Sequence, residues 1–450
     1  MRIYKMALFV LILSFCLLIG CNTFKKSVQP IVTVISPVID TVINTPVKLE
    51  TDKSKTDSFL VDLLKANPSL FDSITANKDA FNMQFIYSKI DRGANGIAAL
   101  KNYYYHINPE KYFYPASTVK LPICILALQK LNELKEKGID KYTTMLTEQA
   151  YSNETAVFND PTTVDGKPTI ANYIKKILLI SDNDAFNRLY EFLGQQYINE
   201  QLHQKGFATA QIRNRLGIQL TDDENRHTNP VNFLRADNKI LFAQPMQFNQ
   251  TKFEDRKDSL GNAFYQGKEL VNTPMDFSNK NRISLEDFHE ILISLVFPNK
   301  VTASQRFNIT EEDRKFLLKT MSQFPTESIR PPYADEKEKY YPAYNKFLFF
   351  GAEKKALPTS IRSFNKTGEA YGQLIDVAYI VDFDKKIEFF LSAVIYCNSN
   401  GILNDDTYDY EKLGYPFLKN LGQVIYDYEL NRDKKIIPDL SDVKFDYNNQ

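Results

Sequence analysis

The chain has 450 residues, with 55 Lys plus Arg against 55 Asp plus Glu and a formal charge of zero. That balance excludes the positive field of a nucleic-acid binder, or of a protein held on anionic lipid by charge alone. A hydrophobic fraction of 43% with 24% charged residues is ordinary globular composition, enough to bury one large core or two modest ones. Four Cys are too few for a disulfide scaffold, and the four His stand at no H-x-H or H-x-x-x-H spacing, so no metal site is expected.

Residues 1–20 read as a lipoprotein signal peptide. Arg2 and Lys5 give a positive start, and Ala7 to Leu18 is an almost unbroken apolar run, short for a membrane span. Leu18-Ile19-Gly20-Cys21 resembles a bacterial lipobox. The resemblance implies cleavage before Cys21, lipid on Cys21, and a membrane-anchored, periplasm-facing protein of the cell envelope. Residues 21–56, punctuated by Pro30, Pro37 and Pro46, show no useful period and read as a tether. Fully extended it reaches on the order of 100 Å.

Asp57 begins a helical pattern with Phe59, Leu60, Leu63 and Leu64 on one face, stopped by Asn67-Pro68. Residues 81–90 and 99–107 read as strands around a turn at 93–96. From 117 to about 320, helix is expected to dominate. Leu121, Cys124, Leu128 and Leu131 form one stripe, 170–180 and 185–193 are two more candidates, and Ser284-x-x-Asp287 and Thr310-x-x-Asp313 resemble capping boxes. Strands return at 374–383 and 387–397, joined by a tight turn at 384–386. A last helix follows Pro416, with Leu418, Leu421, Ile425 and Tyr428 on one face.

Strands at both ends with helices between them predict an α/β fold of the α+β sandwich type. A split α/β subdomain carries an antiparallel sheet, and an all-α subdomain is inserted into it. The predicted domain spans 57–430, followed by a tail at 431–450. Cys124 and Cys397 are expected as buried free thiols.

Three short motifs stand in order. Ser117-Thr118-Val119-Lys120 opens an apolar helix. Residues i and i+3 share a helical face, so Ser117 Oγ and Lys120 Nζ can meet. A Ser hydroxyl needs a base to become a nucleophile, and a Lys whose pKa is lowered by burial and positive neighbours supplies one. Ser181-Asp182-Asn183 follows the apolar run KKILLI. Its hydroxyl can relay a proton, and its Asn amide can hold both Lys120 and a substrate carbonyl. Lys366-Thr367-Gly368 precedes the closing strands. It offers a fixed positive charge, a hydroxyl for a substrate carboxylate, and close backbone approach at the glycine.

Two rivals exist. Ser363-Phe364-Asn365-Lys366 also fits Ser-x-x-Lys, but Thr-Gly and strand follow it instead of helix. Tyr151-Ser152-Asn153 is an alternative middle motif, set in a loop-like stretch with Pro161 and Gly166. Order together with context favours the first set.

With these motifs in that order, the chain resembles the penicillin-recognising serine hydrolases, and class A β-lactamases most, over roughly residues 57–430. The resemblance implies Ser117 as nucleophile, Lys120 as its base or relay, and Ser181 and Asn183 in proton transfer and positioning. It implies Lys366 and Thr367 on the substrate carboxylate, Gly368 at the close approach, and an oxyanion hole from the N–H groups of Ser117 and Glu369. A Glu at 369 departs from the family and repels an anionic substrate. No cofactor is implied. The implied partners are a β-lactam or a peptidoglycan stem peptide, with membrane contact through the lipid only and no nucleic acid.

Two further departures stand out. Ser181 and Lys366 lie 185 residues apart, longer than in the family, with the excess at 231–280 and 325–358 as a rim around the site. Residues 213–230 lack the family's Glu-x-x-Leu-Asn, whose Glu activates the deacylating water. Asp222, Asp223 and Glu224 are the acids there, expected in a solvated turn. Acyl-enzyme formation is therefore expected more firmly than fast turnover. A D-Ala-D-Ala carboxypeptidase or other penicillin-binding protein, and a slowly deacylating β-lactam sensor or cell-wall binding module, are the alternatives.

Overall fold

The protein is described by a computed structural model, which covers residues 54–94 and 96–447. The predicted signal peptide, Cys21 and nearly all of the 21–56 tether lie outside the described residues. Five strands form one antiparallel sheet: β1 (Gln84–Arg92), β2 (Ala98–Tyr105), β6 (Ile361–Ala370), β7 (Gln373–Asp382) and β8 (Ile387–Tyr396). Their order is β6-β7-β8-β1-β2, so β6 is an edge strand. Lys366-Thr367-Gly368 lies within β6. The motif thus belongs to a strand of its own, where the sequence suggested a lead-in to the strand pair.

The period of two along the strands builds two cores. Ile86, Ile375, Val377, Tyr379 and Val394 face one layer. Phe85, Leu374, Ala378, Ile380, Ala393 and Ile395 face the other. Helices α1 (Ser58–Lys65), α2 (Pro68–Thr75) and α10 (Tyr415–Asn431) cover the second face. Leu418, Leu421 and Ile425 of α10 are buried there, as their spacing predicts. The first face meets α8 (Leu285–Val296) and the helical part of the chain.

That part contains α3 (Lys120–Glu133), α4 (Ile170–Ile180), α5 (Asn183–Leu193), α6 (Gln195–Gln204), the one-turn α7 (Asp222–Arg226) and α9 (Glu311–Ser322). Helix α3 is buried on all sides from Lys120 to Gln129, which marks a central helix and not an amphipathic one. Thr169 and Asp182 cap α4 and α5, while Ser284 and Thr310 cap α8 and α9 as predicted.

The helical segment is less uniform than the sequence suggested. Strands β3 (Thr144–Thr147), β4 (Val231–Leu234) and β5 (Ile240–Gln244) form a small sheet, and short strands between 247 and 276 pair with one another, with His227–Thr228 and with Ile402–Leu403. These runs are two to five residues long, too short for a period to register. Residues 432–447 pack back on the domain, with Leu440 and Val443 buried. Arg432 bonds Asp91, and Asp442 bonds Arg314. Cys124 and Cys397 are buried free thiols.

Candidate active site

Ser117 lies in a 3₁₀ turn, Ala116–Val119, that feeds directly into α3. Lys120 opens the helix one turn on, fully buried, and its Nζ donates to Ser117 Oγ at 2.8 Å. The same ammonium group reaches Ser181 O at 2.5 Å, Ser181 Oγ at 3.2 Å and Asn183 Oδ1 at 2.7 Å. Ser181 ends α4 in the left-handed region, φ 60°. A residue with a Cβ is uncommon there, and the turn brings its hydroxyl between the two motif lysines. Lys366 Nζ bonds Ser181 Oγ at 2.9 Å and Thr367 O at 2.8 Å.

Burial and the nearby Lys366 charge push the Lys120 amine well below the ordinary lysine value. Burial brings Lys366 down to about 7, against the upward pull of Asp376. Two ammonium groups sharing one hydroxyl cannot both hold their charge cheaply. A neutral Lys120 is a base aimed at Ser117.

Gly368 explains why β6 can run beside the nucleophile. A Cβ there would stand 2.7 Å from Pro115 O and 3.2 Å from Ser117 N, so a larger residue would force strand and turn apart. The three motifs, remote in sequence, therefore meet around Ser117. The rivals do not join them. Ser363 and Lys366 sit three apart on a strand and so point to opposite faces. Tyr151, Ser152 and Asn153 bond the α7 acids instead.

A family model described as the β-lactamase enzyme family matches residues 77–428. The chain belongs to this β-lactamase enzyme family. Its fold is accordingly the β-lactamase fold, a five-stranded antiparallel sheet with a helical subdomain. Two solved β-lactamases are similar to it. The one from Sphaerobacter thermophilus has 12% identity and a TM-score of 0.42, covering 79% of this chain and 94% of its own. The one from Desulfarculus baarsii has 13% identity and a TM-score of 0.42, covering 81% and 98%. No curated protein matches the chain significantly.

Within this β-lactamase-family site, the 213–230 loop behaves differently from the motifs. Gly217, at φ +69°, lies against Asn183, where an added Cβ would be 2.6 Å from Nδ2. The loop acids, however, are bonded to partners other than the motif residues. Asp222 pairs with Arg226 at 3.0 Å and Arg213 at 3.3 Å. Asp223 accepts from the Tyr151 hydroxyl. Glu224 completes a capping box with Thr221 and accepts from Ser152 at 2.5 Å, and these bonds hold its carboxyl at about 2. Asp222 and Asp223 are exposed, as the expected solvated turn requires, while Glu224 is buried under its own bonds. Among the described residues, no carboxylate hydrogen-bonds Ser117, Lys120, Ser181, Asn183 or Lys366.

Two groups near the site escaped sequence reasoning. Beneath the loop, Arg215 bonds Glu154 at 2.6 Å and pairs with Glu191 at 3.3 Å, and Arg188 pairs with Glu191 at 3.1 Å. A cavity of about 360 Å³ lies there, bordered by Glu154, Asn183, Glu191 and Gly217. In the 325–358 segment, Asn345 donates to Leu179 O at 2.9 Å and accepts from Thr367 Oγ1 at 3.4 Å. The next residue, Lys346, is buried and bonds Asn365 Oδ1 at 2.7 Å, while Asp376 accepts from the amides of Phe347 and Leu348 at 3.1 and 2.9 Å. The segment's richness in Tyr and Phe was its one visible signal.

Proposed function

We propose that the chain is a serine hydrolase that opens an amide of the β-lactam or D-alanyl type through an ester on Ser117, and releases that ester slowly. The observation that carries this reading is the 2.8 Å bond from Lys120 Nζ to Ser117 Oγ, in a site where burial and the Lys366 charge favour the neutral amine. In the proposed reaction, neutral Lys120 takes the Ser117 proton as Oγ bonds to the carbonyl carbon. The N–H groups of Ser117 and Glu369 hold the oxyanion. The C–N bond breaks, and the proton passes through Ser181 Oγ to the leaving nitrogen. Asn183 orients Lys120 and the acyl group, and Lys366 holds Ser181.

Deacylation needs a base for water, worth about 10²–10⁴-fold. The commitment of Asp222, Asp223 and Glu224 to other partners supports slow release, as in a penicillin-binding protein or sensor, over a fast β-lactamase. Intact-mass spectrometry over time after exposure to benzylpenicillin tests this. A single adduct, absent from Ser117→Ala and slow to decay, is expected. Fast hydrolysis without an adduct would reject slow release; neither adduct nor hydrolysis would reject acyl transfer.

We also propose that lipid on Cys21 anchors the domain to a membrane, facing the periplasm. Cys21→Ser should then move the protein to the soluble fraction. A processed mutant that stays with the membrane would refute the anchor.

A further inference from the structure

Side chains two apart on a strand share a face. Thr367 and Glu369 are such a pair on β6, directly past the glycine that touches the Ser117 turn. By the family resemblance, a substrate carboxylate would lie along this stretch. Four features of the protein oppose that use.

Thr367 is only 2% exposed, and its hydroxyl is turned to Asn345 Oδ1. Lys366 is 1% exposed, and its Nζ is engaged by Ser181 Oγ and Thr367 O. Glu369 is exposed and places a carboxylate on the Thr367 face, steadied by the Tyr415 hydroxyl. On the flanking segment, Lys339 is turned to Glu336 at 3.5 Å and to the Tyr340 ring at 4.5 Å. Among the described residues, no Arg or Lys other than Lys366 hydrogen-bonds Thr367, Glu369 or Asn345.

The region that would receive an anion therefore offers a buried lysine, a hydroxyl turned to Asn345, and a carboxylate that the Tyr415 bond supports against the upward push of burial. We propose that this site selects an acyl donor whose carboxylate beside the scissile amide is absent or masked as an ester or amide. The proposal rests on the acyl-transfer reading above and specifies its substrate class. Asn345 and Glu369 are its specificity determinants. Asn345 withholds the Thr367 hydroxyl, and Glu369 repels a negative ligand. A unit charge a few ångströms from Glu369 in a partly solvated cleft changes binding by about three- to tenfold.

Benzylpenicillin and its methyl ester present the same ring with and without the charge. The rate of adduct formation on Ser117, followed by intact mass in the full-length protein, compares them. The ester should acylate about tenfold faster than the acid. Glu369→Gln, which keeps an acceptor for Tyr415, should narrow that ratio by about three- to tenfold. Asn345→Ala should narrow it too, by freeing Thr367. An acid that acylates as fast as the ester, or a ratio unmoved in Glu369→Gln, overturns this proposal and leaves acyl transfer standing. No adduct from either compound overturns the acyl-transfer reading and this proposal with it.

Discussion

The Ser117 turn and the loop at 213–226 lie on two sides of Asn183, and they use polar groups in opposite ways. Around Ser117, buried Lys120 and Lys366 and half-buried Ser181 point their reactive atoms at one another and at the nucleophile. In the loop, each carboxylate closes a local contact: an ion pair at Asp222, a tyrosine at Asp223, a helix cap at Glu224. The difference teaches that a carboxylate's presence near a site says little until its partners are known. An acid already holding a cap has no lone pair aimed at water.

Substitutions can break or sharpen this contrast. The largest effect is expected at the nucleophile. Ser117→Ala should abolish covalent labelling by a fluorescent penicillin while changing stability by no more than about 1 kcal/mol. Labelling that persists and maps to Ser363 would assign the chemistry to the other Ser-x-x-Lys. Lys120→Ala should lower the labelling rate by about 10³-fold, because it removes the base. It should also lower the melting temperature, since Ser181 O and Asn183 Oδ1 lose a buried donor.

Gly217→Ala addresses the boundary between the two regions. The left-handed backbone and the overlap with Asn183 together should destabilise by about 1–2 kcal/mol. Acylation should fall with it, because Asn183 is displaced. A variant that melts lower yet acylates at the wild-type rate would show that the loop does not position Asn183.

A smaller effect, readable by pH, comes from Glu154. Burial pushes its carboxyl up from 4.5 to about 7, with Glu191 adding and Arg215 opposing. The folded state thus binds this proton more tightly than the unfolded chain. The stability it contributes is full below about pH 4.5 and is lost as pH rises through about 7. Glu154→Gln should flatten the fall in stability over that window by about 1–2 kcal/mol, measured as melting temperature against pH. The smallest effect belongs to the loop acids. Asp222→Ala and Asp223→Ala should leave the adduct lifetime within about twofold of wild type, and Glu224→Ala should lower the melting temperature by removing its half of the Thr221 capping box. A single one of these that converts fast hydrolysis into a trapped adduct would make that acid the deacylating base.

Local spacing was what the sequence made legible. Ser117 and Lys120 are one turn apart, so their meeting follows from helix geometry alone. The caps at Ser284 and Thr310 and the apolar face of α10 follow from the same short-range rules. Asn345 could not be found this way. Its contacts, Leu179 and Thr367, come from two other elements, and nothing in its neighbourhood encodes either. The Glu154–Arg215 bond is hidden for the same reason, and the strands between 247 and 276 are too short to show alternation. The place of Lys366 inside a third closing strand was missed because Ser363, Asn365 and Thr367 put polar residues where an apolar face was sought. Asn365 is bonded by Asn345 and Asp376 and Thr367 by Asn345, while of Ser363 Lys346 takes only the backbone carbonyl, and the buried Ser363 hydroxyl has no partner among the described residues.

The order of strands in the large sheet governs how the chain reaches its native state. Strand β1, near the beginning of the described chain, lies between β2 and β8, with Phe85 opposite Ala393. As the ribosome delivers the polypeptide, the first hairpin must wait with one apolar edge open until the last strand emerges. Such distant pairing makes for slow folding and a long exposure to aggregation. A chain truncated between β7 and β8 should therefore persist in an aggregation-prone state, with Lys366 lacking a settled strand to stand on.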